Sequence, residues 1–244
     1  LDYSDIIPNV KYFEFNNNFK KINEISINTK YITMIHDFIS LNNTIIFLDT
    51  PMILDFRKMF DINIPLNFYK SLKSQICLVN KTNNQIKYIS IDSMYILHYS
   101  HAYENDNEII IYGCIYDNFD FNKPYDNYGK FRKIIINKNT FELNILKNNE
   151  LEDYSVEFPI VYKNYTIMIN SNNSISNSFI IVNNFKLYKH IQINKNIYGE
   201  PSIIEIDNEP YIVCFTYINT FNYLTIYGIE NNIDISIPIP YNIS

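Results

Sequence analysis

Short runs of Ile, Val, Tyr and Phe recur from one end of this chain to the other, and no segment carries the period of a long amphipathic helix. The runs fall at residues 30–35, 44–48, 75–79, 85–91, 108–112, 133–137, 142–146, 165–169, 179–182, 202–206, 211–217, 223–228 and 233–237. Most are bounded by clusters of Asn, Asp or Lys, the punctuation of strands. Residues 161–165 and 206–211 read as tight connections between neighbouring strands. The pattern predicts an all-β chain: a sandwich, a barrel or a propeller. Because the rhythm continues over all 244 residues, a propeller fits better than a small sandwich. No WD40 or kelch repeat is visible, and no linker divides the chain.

Composition supports this reading and narrows it. Hydrophobic residues make up 47% and aromatic residues 16%, ample for a core. There are only 4 Gly, where an average chain would hold roughly 17. Turns are therefore expected to rely on Asn, which tolerates positive φ better than other non-Gly residues. The net charge of −6 comes without a basic stripe, so nucleic acid is not an expected partner. No apolar run is long enough to cross a membrane as a helix. Cys77, Cys114 and Cys214 are few, odd in number and far apart, which predicts free buried thiols in a reducing compartment. The chain opens on Leu1 without an initiator Met, and the expectation is a piece of a longer protein.

Residues 55–74 break the strand rhythm. They combine Phe56, Met59, Phe60, Ile64 and Phe68 with three lysines and one arginine. The first reading is a long, partly buried loop between strands. The second is an apolar patch with a basic fringe that rests on a membrane surface.

Histidine is scarce: His36, His98, His101 and His190. No close metal-binding spacing links them, and a lone histidine is more often structural than a ligand. Their context changes the odds. His36 sits in Met34-Ile35-His36-Asp37-Phe38, followed by Asp49-Thr50-Pro51. His98 opens His98-Tyr99-Ser100-His101-Ala102-Tyr103-Glu104. Lys130-Phe131-Arg132, Glu157-Phe158-Pro159 and Gly199-Glu200-Pro201 follow. In this order and at these separations, the five blocks resemble those of the carotenoid cleavage oxygenases, and the resemblance covers nearly the whole chain.

That resemblance implies a seven-bladed β-propeller, of which this chain would cover roughly the C-terminal half to two-thirds. Residues 1–244 would then be part of one propeller domain lacking its N-terminal portion and extreme C-terminus. It implies Fe²⁺ held by four histidines, with His36 and His98 as the second and third ligands. The first ligand would lie before Leu1, and the last beyond Ser244. Glu157 would orient His98, and Glu200 would orient the last histidine, each by accepting a ring N–H. The reaction implied is cleavage by O₂ of a conjugated C=C bond in a carotenoid, apocarotenoid or stilbene-like substrate. The segment after Asp49-Thr50-Pro51 would form a membrane-facing substrate entrance, placing the protein in the cytoplasm or at a membrane periphery.

His101 stands where the family has Asn, and replacing a polar contact is its favoured role. His190 matches no ligand block and reads as structural. Two other functions compete. One is a propeller without chemistry, kept as a binding or scaffold module. The other is a sugar-cleaving propeller using Asp37, Glu104 and Glu157 as paired carboxylates.

Overall fold

The computed structural model describes residues 2–3, 8–31, 34–54, 64–172, 175–231 and 233–240. Strands β1 (Asp2–Tyr3), β2 (Asn9–Phe15) and β3 (Lys21–Asn28) form a three-stranded sheet. β4 (Ile39–Ser40), β5 (Thr44–Asp49), β8 (Ser74–Asn80) and β9 (Ile86–Ile91) form the next. Between β5 and β8 the chain makes a separate pair, β6 (Met52–Leu54) with β7 (Leu66–Phe68). Three four-stranded meanders follow. The first is β10 (Tyr95–Glu104), β11 (Glu108–Tyr116), β12 (Lys130–Asn137) and β13 (Leu143–Leu146). The second is β14 (Val156–Tyr162), β15 (Tyr165–Asn172), β16 (Ile175–Asn183) and β17 (Lys186–Gln192). The third is β18 (Asn196–Ile206), β19 (Glu209–Ile218), β20 (Phe221–Gly228) and β21 (Asp234–Ile239). All pairings are antiparallel, and the sheets follow one another as blades of a β-propeller.

The seams between blades explain the sequence rhythm. A middle strand has a neighbouring blade on each face, so both of its alternating sets of side chains are buried. On β5, Ile45 and Phe47 pack toward β2 and β3, while Ile46 and Leu48 pack toward β10–β13. On β11, Ile109 and Ile111 face β5 and β8, while Ile110, Tyr112 and Cys114 face β15 and β16. On β16, Phe179 and Ile181 face β18–β21, while Ile180 and Val182 face back. Each fully buried side chain of this kind contributes about 1.5–3 kcal/mol. The three cysteines are buried free thiols within these seams.

Several expectations need correction. Residues 30–35 form no strand where they are described: the Lys30 amide donates to the Asp49 side chain at 2.6 Å, so a carboxylate replaces a ladder partner. The segment after Asp49-Thr50-Pro51 is not all loop, because Leu66–Phe68 pairs with Met52–Leu54. Reliance on Asn turns is half of the answer. Of the ten non-Gly residues with positive φ among the described residues, Asn84, Asn184, Asn208 and Asn219 are the expected Asn, and Asp207 is its near relative. Phe19, Phe141, Phe158, Phe185 and Lys163 are not. At the two-residue turns Asn184-Phe185 and Asp207-Asn208, both residues have positive φ, which suits the right-handed twist of a hairpin.

Candidate metal centre

The first strand of each meander is an edge strand, and β4, β10, β14 and β18 stand next to one another along the inside of the arc. His36 lies just before β4, His98 on β10, Glu157 on β14 and Glu200 on β18. Four successive blades thus deliver the four residues to one place.

β10, β14 and β18 are each irregular where they do so. The β10–β11 register shifts on either side of Tyr99, the β14–β15 register between Glu157 and Ile160, and the β18–β19 register between Tyr198 and Ser202. Such bulges bend a strand and re-aim its side chains. Phe158 has φ 54° and Gly199 φ 72°, so the chain turns through left-handed conformations beside each glutamate. No atom lies within 4 Å of a Cβ built on Gly199, so the backbone angle, not crowding, calls for glycine there.

The two imidazoles converge. His36 Nε2 lies 3.2 Å from His98 Nε2, with the rings nearly perpendicular at 87°. On the far side of the His98 ring, Nδ1 lies 3.2 Å from Glu157 Oε2. Glu157 is buried, and its Oε2 also accepts from the Phe158 amide at 3.1 Å. Burial raises the Glu157 pKa, against the contacts from His98, the Phe158 amide and Tyr116 that favour the carboxylate. Burial disfavours charge on His98, but the hydrogen bond and charge of Glu157, helped by Glu200 and Asp37, leave its pKa above the ordinary imidazole value. Glu200 is exposed, its Oε1 3.9 Å from His98 Nε2. Asp37, His98, Tyr99, Phe158, Pro159, Ile160, Glu200 and Pro201 line a cavity of about 80 Å³ beside the pair.

The donor set suits a metal. Imidazole nitrogens bound at about 2.1 Å to one ion would stand about 3.0 Å apart at a right angle and about 3.4 Å apart at a tetrahedral angle. The observed 3.2 Å lies between these. With the proton on Nδ1, His98 would donate to Glu157 and leave the Nε2 lone pair free toward His36, the usual arrangement behind a ligating histidine. Among the described residues, no group of three or more His, Cys, Asp or Glu side chains is gathered as a complete site.

The other motif residues brace this centre. Asp49 is fully buried and accepts from the Lys30 amide and from Gln75 Nε2 at 2.8 Å, tying down the chain that leads to His36. Arg132, only 4% exposed, pairs with Asp117 through Nη1 at 2.8 Å and with Glu152 through Nε at 3.1 Å. Glu152 belongs to the one-turn helix α1 (Asn149–Glu152), which leads directly into β14 and Glu157. Sequence reasoning matched Arg132 and Asp37 to their blocks without giving either its task here, and it missed Tyr116. Only the fold shows that the Tyr116 ring lies against Gly129 and reaches Glu157.

His101 points elsewhere. It stacks on Tyr112 at 4.4 Å, bonds to Ser100 Oγ through Nδ1 at 2.9 Å, and lines a separate cavity. Burial lowers its pKa. His190 is exposed on β17 against the Tyr154 ring. Glu104 pairs with Lys138 at 3.3 Å, and both Asp37 oxygens accept backbone amides, so Asp37, Glu104 and Glu157 do not assemble as paired carboxylates. Of the apolar residues after Asp49-Thr50-Pro51, Ile64 is exposed. Phe68 packs against the cluster of Met52, Tyr95, Tyr116 and Phe119. Phe56, Met59 and Phe60 lie outside the described residues. No helix among the described residues is long and apolar enough to cross a membrane.

A propeller whose inner rim brings two imidazoles together, one beside a buried carboxylate, points to a narrow class of protein. The family model described as retinal pigment epithelial membrane protein matches residues 2–171, and the chain belongs to that family, that of the carotenoid cleavage oxygenases. The chain is 25% identical over 104 residues to the chloroplastic 9-cis-epoxycarotenoid dioxygenase NCED6 of Arabidopsis thaliana, covering 41% of this chain and 18% of that protein. Cobalt-substituted apocarotenoid oxygenase of Synechocystis shares the fold with a TM-score of 0.78 and 17% identity, over 96% of this chain and 56% of that one. A chimera of that oxygenase with RPE65 gives a TM-score of 0.80 at 18% identity over the same shares. The chain therefore spans little more than half the length of these solved structures and less than a fifth of the plant enzyme.

Proposed function

We propose that the protein is a non-haem Fe²⁺ oxygenase that cleaves a conjugated C=C bond of a carotenoid, apocarotenoid or stilbene-like substrate with O₂, giving two carbonyl products. The observation that carries this reading is the 3.2 Å convergence of His36 and His98, with Glu157 seated behind His98. His36 and His98 would be two of the iron ligands, completed by donors outside the described residues. Imidazole suits ferrous iron, and neutral ligands leave the balancing charge to surrounding glutamates. When bound, the iron would supply the redox chemistry that brings O₂ to react with the double bond.

The chain's own residues have the supporting tasks. Glu157 fixes the tautomer and aim of His98. Glu200 adds negative charge at the rim of the centre. Phe158, Pro159, Ile160 and Pro201 give an apolar wall to a cavity of about 80 Å³. A water occupies about 30 Å³ in the liquid, so O₂ fits there and a polyene does not. The substrate would lie across the opening of that cavity, its double bond held beside the metal and shielded from water. Ile64, exposed after the Asp49-Thr50-Pro51 block, would take part in peripheral membrane contact.

The test is anaerobic loading of the full-length protein with Fe²⁺, followed by O₂ and panels of apocarotenoids and stilbenes, with products identified by mass. Paired aldehydes or ketones that vanish in His98→Ala are expected. No product from either panel, together with no His98-dependent binding of Co²⁺, would overturn the reading.

A further inference from the structure

Asp37 follows His36 in the chain, and Tyr99 follows His98. Between these two neighbours runs a direct bond: the Tyr99 amide donates to Asp37 Oδ2 at 2.8 Å. The other carboxylate oxygen, Oδ1, accepts from the Phe38 amide at 2.8 Å. Asp37, next to His36 in the chain and lining the same cavity as His98, is a carboxylate that could be nominated as a further metal ligand. Its oxygens are instead turned to backbone donors on both sides of the gap between the two histidines.

The fold gives this bond a particular weight. Residues 34–38 lie in no strand, and among the described residues no backbone-to-backbone hydrogen bond outside the ladders reaches them. Of their apolar members, Ile35 and Phe38 pack on the seam of Val10, Tyr12, Ile25, Ile27 and Phe47, which anchors the segment toward β2 and β3. The β10 side presents an edge strand, where alternate amides have no ladder partner. The Tyr99 amide is given to Asp37 at the point where the β10 register slips. One carboxylate thus joins an unladdered segment carrying His36 to a bulged strand carrying His98.

We propose that Asp37 is a positioning residue that sets the spacing of the His36 and His98 ring nitrogens, acting through the Tyr99 amide and without binding the metal itself. The proposal rests on the reading of this histidine pair as metal ligands. Outer partners of metal ligands typically change affinity 10- to 100-fold when removed, and Asp37 would act one step further out, on the backbone beside both histidines.

The experiment compares the wild-type full-length protein with Asp37→Ala and Asp37→Asn in two measurements. The first is amide exchange of the segment containing Tyr99 in metal-free protein. Asp37→Ala should speed it by about tenfold or more, because the donor loses its acceptor. The second is anaerobic titration with Co²⁺, read by visible absorption. Asp37→Ala should lower affinity about 10- to 100-fold and alter the band shape. Asp37→Asn keeps one amide acceptor, should fold if the alanine variant does not, and should fall between the two. Faster exchange at Tyr99 with wild-type Co²⁺ affinity and band would show a structural tie only, and the positioning role would be overturned. Unchanged exchange would remove the bridge itself. If wild-type protein gives no His98-dependent Co²⁺ band, the metal reading fails first and the role of Asp37 goes with it.

Discussion

His98 and Glu157 meet at 3.2 Å although they belong to different blades, one on β10 and the other on β14. The contact crosses the seam that Val156, Met168 and Cys114 fill with apolar side chains. Substituting Glu157→Gln keeps the shape and removes the charge. Metal affinity is expected to fall about 10- to 100-fold, with little change in the far-ultraviolet circular dichroism. Titration of the metal-free protein with Co²⁺ checks this.

Arg132 is the cation that secures the approach to β14. Arg132→Met leaves Asp117 and Glu152 without their partner and is expected to destabilise the protein by about 2–3 kcal/mol, a little under the range for fully buried pairs. Urea denaturation of both proteins measures it.

The Arg132 guanidinium beside Asp117 holds that carboxyl below its usual range. A lowered folded pKa means that the stabilisation is complete above the unfolded value and is lost as pH falls through the folded one. Wild type should therefore melt above Asp117→Asn at neutral pH. The gap should narrow as pH drops below about 3.9, the value of a free Asp. Thermal melts across pH 2.5–7 decide it on the order of a degree.

Two glycines should respond differently to Ala. At Gly129 a Cβ would meet Val156 O at 2.5 Å and Tyr116 Cζ at 2.9 Å, so backbone must move. A cost of about 1–3 kcal/mol is expected, as for other overpacked sites. At Gly199 there is open space but φ is 72°, and about 1–2 kcal/mol of backbone strain is expected. Accessible space separates the two: Gly199→Ala should leave the Tyr116 environment unchanged by near-ultraviolet circular dichroism, and Gly129→Ala should perturb it.

Phe179 is fully buried in the seam between the last two meanders, while His190 is exposed on an outer strand. Phe179→Ala is expected to cost about 3–5 kcal/mol, and His190→Ala to stay within about 0.5 kcal/mol. Parallel denaturant titrations compare them.

The sequence made the middle strands plain and the inner ones obscure, for a physical reason. β5, β11 and β16 are buried on both faces and read as unbroken apolar runs. β14 and β18 carry Glu157 and Pro159, or Gly199, Glu200 and Pro201, at the places where their ladders slip, so alternation fails there. β2 and β3 escaped notice because Lys11, Glu14, Lys21 and Glu24 interrupt their apolar residues. For the site, the motif order singled out His36, His98, Glu157 and Glu200. The partners of Asp37, Arg132 and Gly129 are distant in sequence and only folding brings them together. Nothing in the local pattern announces a bond between residues 62 positions apart.

The slipped ladders along β10, β14 and β18 have one more effect. Where the register breaks, the direction of a side chain is no longer dictated by the three strands stacked outside it. The outer strands can drift, lengthen their turns or exchange Ile for Val while the inner kink keeps its aim. Chemistry and scaffold can thus vary separately within one blade, and a chain can depart far from its relatives in residue identity while still delivering imidazoles to the same point.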